Sequence, residues 1–174
     1  GEPYLHPQFT EMVATAYKQK LTTVTSTNAH YLTPENARKT IASGLSKLII
    51  SLDGVTQESY SNYRIGGKLS TVLEGARTMM QMRQEMQSAT PFVVFQFLVV
   101  RANENEIEAV KKLAAEIGVD EIVFKTAQLY DDSAIFEYQF LAKEVNWRYY
   151  LLPRFIESTY YSKSNKPMIA VTLI

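Results

Sequence analysis

The chain has 174 residues, of which 46% are hydrophobic and 21% charged, as in an ordinary soluble globular domain. Basic and acidic residues balance at 18 each, so bulk charge does not favour binding to nucleic acid or to an acidic membrane. The absence of cysteine excludes disulfides, thiolate zinc sites and an iron–sulfur cluster held by this stretch of chain. No apolar run approaches the ~20 residues of a membrane span and no signal-peptide pattern opens the sequence, so we expect a cytoplasmic protein.

Helix and strand signals alternate from the start of the chain. A helix is predicted over about 7–19, and the β-branched segment 21–27 then predicts a strand. Thr33 followed by Pro34 marks the beginning of the next helix, and Gly44 marks its end. The first third of the chain therefore predicts one helix–strand–helix unit.

The alternation continues through the middle of the chain. The apolar run 47–52 is typical of a strand buried on both faces. A short helical turn is predicted at 56–63, and apolar residues at three- and four-residue spacing predict a long helix over 69–87. The segment 92–100 predicts the third strand.

The last readable unit is a helix over about 104–117, ended by Gly118, and a strand at 121–125. Repeated strand–helix units with short loops indicate parallel strands joined by right-handed crossovers. The fold class is therefore α/β, either part of a barrel or a doubly wound sheet, and periodicity does not choose between them. We assign residues 1–130 to this unit. The aromatic-rich segment 131–174 is a tail that covers the sheet, meets a partner or is loosely ordered.

Several motifs of known chemistry are absent or incomplete. His6 and His30 lie in predicted loops without a second histidine at helical spacing, so no metal site is predicted. Gly66-Gly67-Lys68 departs from the phosphate-binding loop, since Leu69 follows the lysine where serine or threonine is required. Neither a nucleophile elbow nor a dinucleotide-binding fingerprint occurs.

Polar side chains gather where the predicted parallel strands end, the edge at which such folds bind ligands. Each also has a local structural explanation, such as a turn at Asp53-Gly54. Together on one edge they favour a small-molecule site. The set comprises Glu2, Asn28, Ser51, Asp53 and Lys125, with Gln96 inside a strand.

The ordered set of strand-end motifs resembles the radical S-adenosylmethionine enzymes, and within them the branch that carries a C-terminal SPASM or twitch extension, which includes sulfatase-maturing enzymes. The similarity covers about residues 1–128. The motifs that carry it are Gly1-Glu2-Pro3, Ser26-Thr27-Asn28, Ile50-Ser51-Leu52-Asp53-Gly54 and Tyr63-Arg64.

The resemblance implies a partial (β/α)6 barrel of the TIM type, of which this chain supplies strands three to six while the first strands are missing. It also implies S-adenosylmethionine as a cofactor. Gly1, Glu2 and Pro3 match the motif that meets the ammonium group of its methionine moiety, for which a carboxylate is suited. Ser51 matches a contact to the ribose or carboxylate region, and Arg64 matches the partner of the carboxylate. Asn28 and Asp53 match positions lining the same cavity, and Gln96 and Lys125 match positions facing the barrel interior.

The implied activity is reductive cleavage of S-adenosylmethionine to a 5′-deoxyadenosyl radical that abstracts hydrogen from a substrate, with a peptide or protein as the candidate substrate. The family's defining Cys-x3-Cys-x2-Cys loop, which holds a 4Fe–4S cluster, is absent from this sequence. We therefore expect the chain to be an excerpt of a longer protein and to be inactive alone. A natural degenerate paralogue needs more assumptions.

Two other readings remain open. One is a non-catalytic module in which the same barrel binds a ligand or a protein partner, for which the aromatic tail is the main support. The other is a lyase or aldolase that forms a Schiff base, for which Lys125 is the strand-end candidate.

An open set of strands also leaves unpaired edges, which promote association. We expect the isolated chain to self-associate or to be poorly soluble, and light scattering that shows a stable monomer at high concentration would count against this expectation.

Overall fold

Four parallel strands form the centre of the fold in this computed structural model. The structure describes residues 1–126, and the predictions for the tail, 131–174, lie outside the described residues. The strands are β1 (Val24–Thr27), β2 (Lys47–Ser51), β3 (Phe92–Val99) and β4 (Glu121–Thr126). The helices are α1 (Phe9–Lys18), α2 (Pro34–Ala42), α3 (Gln57–Tyr63), α4 (Leu69–Glu85) and α5 (Ile107–Ile117). Two 3-10 turns, Pro3–Leu5 and Glu104–Glu106, complete the described elements. The predicted α/β class is confirmed.

The strands lie side by side in chain order, β1-β2-β3-β4, and every pairing is parallel. Right-handed crossovers that always advance in one direction place their helices on one face of the sheet. The core shows this arrangement, since Phe9 of α1, Ile41 of α2, Met79 of α4 and Val110 of α5 belong to one apolar cluster. A doubly wound sheet reverses its strand order, and the four described strands do not. The sheet is therefore compatible with part of a barrel.

Strand β3 shows how unequal the two faces of the sheet are. Val93, Phe95, Phe97 and Val99 alternate along the strand, and none of the four has any exposed surface. Burial of each such side chain contributes about 1.5–3 kcal/mol. On the opposite face Gln96 and Leu98 are partly exposed.

The prediction that β2 is buried on both faces is wrong. Leu48 and Ile50 face the helices and are fully buried, whereas Ile49 and Ser51 on the other face are partly exposed. An apolar run does not specify how many layers cover it, and here the described helices cover one face. None of these helices is long and apolar enough to cross a membrane.

An ion pair ties the amino-terminal ends of β3 and β4 to α4. Both terminal nitrogens of Arg83 donate to the Asp120 carboxylate, and Arg83 Nη1 also donates to the Pro91 carbonyl. The same carboxylate accepts from the Val93 amide, with 2.6 Å between N and Oδ2. Burial works to raise the pKa of Asp120, but the hydrogen bonds from Arg83 and Val93 outweigh it and hold the pKa below its usual range.

Helix α1 ends in a Schellman motif with a lysine in the left-handed position. The Lys20 amide donates to the Tyr17 carbonyl over 2.8 Å, and the Leu21 amide donates to the Ala16 carbonyl over 3.1 Å. Lys20 has a φ of +61°, a conformation that glycine adopts without steric cost. The motif therefore forms in spite of its side chain.

We predict that Asp120→Asn lowers the free energy of unfolding by about 1 kcal/mol at pH 7, a modest value because the pair is partly exposed. A depressed pKa stabilises the folded state above the unfolded carboxyl pKa, and this gain disappears as pH falls through the folded-state pKa. Urea unfolding should therefore give a difference between wild type and variant that shrinks as the pH is lowered from 7 to 3. Glu116→Gln, which alters an exposed pair with Arg77, is the control. A difference that persists unchanged at pH 3 would contradict the assignment.

We predict that Lys20→Gly raises the free energy of unfolding by about 0.5–1 kcal/mol, because glycine removes the strain at positive φ. The matched control is Lys18→Gly, which places glycine inside α1 and should destabilise the chain by a similar amount. Denaturant unfolding of both variants checks the sign, and two shifts in the same direction would contradict the account.

Candidate ligand site at the carboxyl ends of the strands

The Glu2 carboxylate lies at the end of β1 and is held by three donors. Its Oε1 accepts from the Thr27 hydroxyl over 2.8 Å and from the Tyr4 amide over 3.3 Å. Its Oε2 accepts from the Asn28 amide over 2.8 Å. Glu2 caps the turn Pro3–Leu5, in which Pro3 is buried, while Gly1 before it is exposed. The opening segment is thereby fixed to the strand end by its one carboxylate.

The loop after β1 is folded around Asn28 and His30. The Asn28 side-chain oxygen accepts from the His30 amide over 3.0 Å, and the imidazole Nδ1 lies 3.0 Å from the Asn28 carbonyl. His30 Nε2 accepts from the Lys68 amide over 3.1 Å. This loop thus meets the segment that leads into α4.

Asp53 follows β2 and is almost completely buried, at 1% exposure. Its Oδ2 accepts from Arg64 Nε over 2.6 Å, and its Oδ1 accepts from the Leu98 amide over 2.9 Å. The carboxylate therefore holds a guanidinium on one side and the backbone of β3 on the other. Asp53 was expected to line the cavity, and its contacts make it a support for Arg64.

Asn103 and Glu106 hold the loop after β2 through hydrogen bonds. Neither residue was identified from the sequence. The Asn103 amide nitrogen donates to the carbonyls of Asp53 and Leu98, each over 2.9 Å. Glu106 Oε2 accepts from the Val55 amide and from the Ser59 hydroxyl, also at 2.9 Å each. The partners Asp53, Val55 and Ser59 lie about 50 residues away in sequence, so no local pattern indicates these contacts.

Arg64 is only one-third exposed in its side chain, yet its two terminal nitrogens donate no hydrogen bond to any of residues 1–126. Its guanidinium carbon lies 5.2 Å from the centre of the Tyr63 ring. The Asp53 contact at Nε fixes the orientation of the guanidinium plane. The terminal nitrogens therefore remain as donors for a further acceptor, a fork that suits a carboxylate.

Ser51, Gln96 and Lys125 lie on the face of the sheet that the described helices leave uncovered. Ser51 is directly opposite Gln96 in the β2–β3 register, and Leu98 is opposite Lys125 in the β3–β4 register. Ser51 and Gln96 make no side-chain hydrogen bond within the described part of the chain, and both are partly exposed. They form a polar pair on this face of the sheet.

No group of three or more histidine, aspartate or glutamate residues within 1–126 is placed to hold a metal ion. A groove lies elsewhere, between α4 and α5 at the opposite end of the sheet. Its charged side chains are already paired, Arg77 with Glu116 and Arg83 with Asp120. The charged side chains of the groove are thus paired with each other, whereas the terminal nitrogens of Arg64 at the strand-end edge have no acceptor among the described residues.

We predict that Asp53→Asn lowers the free energy of unfolding by about 2 kcal/mol or more. The substitution removes a buried charge that pairs with Arg64 and accepts from the Leu98 amide near the carboxyl end of β3. Chemical denaturation at pH 7 measures the change. Glu108→Gln, in an exposed pair with Lys111, is the control and should change stability far less. Equal effects of the two variants would contradict the structural role of Asp53.

A scan against models of protein families finds no match. The chain is 30% identical over 119 residues to an AdoMet-dependent heme synthase of Methanosarcina barkeri, covering 68% of this chain and 32% of that protein. It is 25% identical over 118 residues to a probable GTP 3′,8-cyclase of Methanococcus maripaludis, covering 68% and 38%. It is 26% identical over 121 residues to a tungsten-containing aldehyde ferredoxin oxidoreductase cofactor-modifying protein of Pyrococcus furiosus, covering 69% and 34%.

The chain spans about a third of the length of these curated relatives. A second AdoMet-dependent heme synthase and a second GTP 3′,8-cyclase match over a similar share of the chain. At low identity, and over part of the chain, these relatives indicate the radical S-adenosylmethionine superfamily.

Proposed function

We propose that this chain is part of the core barrel of a radical S-adenosylmethionine enzyme and that its strand-end edge binds the methionine moiety of that molecule. The observation that carries the proposal is one edge bearing a fixed carboxylate at Glu2 and a fixed guanidinium at Arg64. The methionine moiety has an ammonium and a carboxylate on one carbon, so two groups of opposite charge are the complement that it requires.

Glu2 fits the ammonium end. A carboxylate has about four acceptor positions, and Glu2 uses three of them for Thr27, Tyr4 and Asn28. The remaining position accepts from an ammonium without breaking an existing contact. Because the three donors hold the side chain in place, binding costs little further ordering.

Arg64 fits the carboxylate end. Its Nε is occupied by Asp53, and the terminal nitrogens have no acceptor among residues 1–126. A carboxylate that meets this fork forms charge-assisted hydrogen bonds. Asp53 does not touch the ligand in this arrangement and acts by orienting Arg64.

The uncovered face of the sheet would hold the rest of the molecule. Ser51 and Gln96 stand side by side in register, with hydroxyl and amide groups that suit a ribose or another polyhydroxylated group. Lys125 lies further along the same face, opposite Leu98. We assign Ser51 to the nucleoside end and leave Gln96 and Lys125 as contacts to cofactor or substrate.

An iron–sulfur cluster does not fit the residues of this chain, since the sequence contains no cysteine. In this superfamily S-adenosylmethionine supplies a carbon-centred radical after reductive cleavage. The residues of this chain contribute binding and orientation to that chemistry, and the electron must enter through groups other than these. For the whole protein we propose modification of a substrate by hydrogen abstraction.

We also propose a branch of the superfamily and a place in its barrel for this chain. The Tyr63-Arg64 pair that follows the Ser51–Gly54 motif supports the SPASM or twitch branch, whose members include peptide-modifying proteins. On the same basis, we propose that β1 to β4 correspond to strands three to six of a (β/α)6 barrel. We propose that the whole protein acts on a peptide or protein substrate in the cytoplasm. The unreversed strand order supports the barrel part of this proposal.

We predict that the chain binds S-adenosylmethionine and that Arg64→Gln weakens this binding about tenfold, because one charge-assisted contact is worth about 1.4 kcal/mol or more. Calorimetric titration measures the affinity. Methylthioadenosine lacks the amino-acid moiety, so its affinity should not change in the variant. Arg77→Gln, whose pair with Glu116 lies on the groove at the other end, is the protein control.

The other functions predict different results. A wild-type chain that binds methylthioadenosine as tightly as S-adenosylmethionine, with no effect of Arg64→Gln, would contradict a methionine subsite. Turnover of a carbonyl substrate that is lost in Lys125→Ala, with S-adenosylmethionine binding retained, would favour the lyase or aldolase reading.

A further inference from the structure

We propose that His30 is a positioning residue that sets the spacing between the Glu2 and Arg64 ends of the site. This inference rests on the proposed function, because it assigns a task within the same site. Sequence reasoning considered His30 only as a metal ligand. The hydrogen bonds of its imidazole are to two backbone groups, and none joins it to another titratable side chain among those described.

One side of His30 is fixed to the Glu2 end. The imidazole Nδ1 lies 3.0 Å from the Asn28 carbonyl, and the His30 amide donates to the Asn28 side chain. The Asn28 amide in turn donates to Glu2 Oε2 over 2.8 Å. Asn28 thus links the His30 ring to the Glu2 carboxylate, which we assign to the ammonium group.

The other side of the ring fixes the tautomer. The Lys68 amide can only donate, so His30 Nε2 accepts and carries no proton. The Asn28 carbonyl can only accept, so the proton lies on Nδ1. Both contacts are satisfied by one neutral form of the imidazole, the Nδ1–H tautomer.

Lys68 directly follows the turn that runs from Arg64 to Gly67. The Gly67 amide donates to the Arg64 carbonyl over 3.0 Å, and Gly66 between them has a φ of +77°. Lys68 is also the residue before α4, and its own side chain does not cap that helix. His30 therefore fixes the far end of the turn whose near end carries the guanidinium.

Gln57 supports the same turn from the other direction. Its amide nitrogen donates to the Gly67 carbonyl over 3.0 Å, and its amide oxygen accepts from the Leu69 amide over 2.9 Å. Gln57 belongs to the α3 side, whereas His30 belongs to the β1 side. Of these two residues, His30 is the one that joins the turn to the Glu2 end.

Two substitutions of His30 distinguish the effect of the hydrogen-bond acceptor at Nε2 from the effect of the size of the ring. His30→Leu removes the acceptor for the Lys68 amide, and we expect S-adenosylmethionine to bind about tenfold more weakly through lost preorganisation. His30→Gln places an amide oxygen near the position of Nε2, and we expect most of the affinity to return. His6→Leu is the control, since His6 Nδ1 accepts from the nearby Gln8 amide on an exposed turn.

The ligand pair distinguishes positioning from general loss of structure. Methylthioadenosine cannot span the Glu2 and Arg64 ends, so its affinity should stay within about twofold of wild type in His30→Leu. If both ligands lose affinity equally and His30→Gln does not restore it, the role of His30 is structural and the proposal is wrong.

Nitrogen NMR of the wild-type chain gives a readout that does not depend on any ligand. We expect a protonated Nδ1 and an unprotonated Nε2 at neutral pH, and a Lys68 amide whose exchange with solvent is faster in His30→Leu. The opposite tautomer, or a Lys68 amide unprotected in wild type, would overturn the positioning role even if His30→Leu fails to fold.

Ligand binding distinguishes a failure of the proposed function from a failure of the role of His30. If wild type does not bind S-adenosylmethionine, the proposed function falls and the role of His30 falls with it. If wild type binds it and His30→Leu binds it equally well, only the role of His30 is overturned.

Discussion

The buried Asp53 carboxylate is the constraint on which the candidate site depends. A carboxylate at 1% exposure must be paired and hydrogen-bonded, and Asp53 meets this requirement with Arg64 Nε and the Leu98 amide. Asn103 then holds the Asp53 carbonyl. One side chain thus joins the end of β2, the end of β3 and the loop beyond it, and it orients the guanidinium that we assign to ligand binding.

The site has two ends because adjacent parallel strands end at the same edge of the sheet. Glu2 is bound to the end of β1, and Arg64 is bound to the residue that follows β2 by two positions. His30 connects the two ends through Asn28 and the Lys68 amide. Opposite charges held by two connected loops are the arrangement on which we base the proposed binding of a zwitterion.

Local patterns in the sequence predicted the strands and helices well, because alternation, caps such as Thr33-Pro34 and stops such as Gly118 are local signals. The prediction that both faces of β2 are buried was wrong, because an apolar run does not specify how many layers pack against the strand. Strand-end carboxylates such as Glu2 and Asp53 also look alike in sequence, and only burial separates their environments. The contact of His30 was missed because its partner is a backbone amide 38 residues away, which leaves no side-chain pattern.

The central claim is that the carboxyl edge of the sheet binds the methionine moiety of S-adenosylmethionine. Amide and guanidinium NMR of the chain during titration with S-adenosylmethionine tests it most directly. The account predicts shifts concentrated at the Asn28 amide, the Lys68 amide and Arg64 Nε–H, with Gly118 in the α4–α5 groove unchanged. Shifts concentrated at Gly118 and Arg77, or no shifts at saturating ligand, would contradict it.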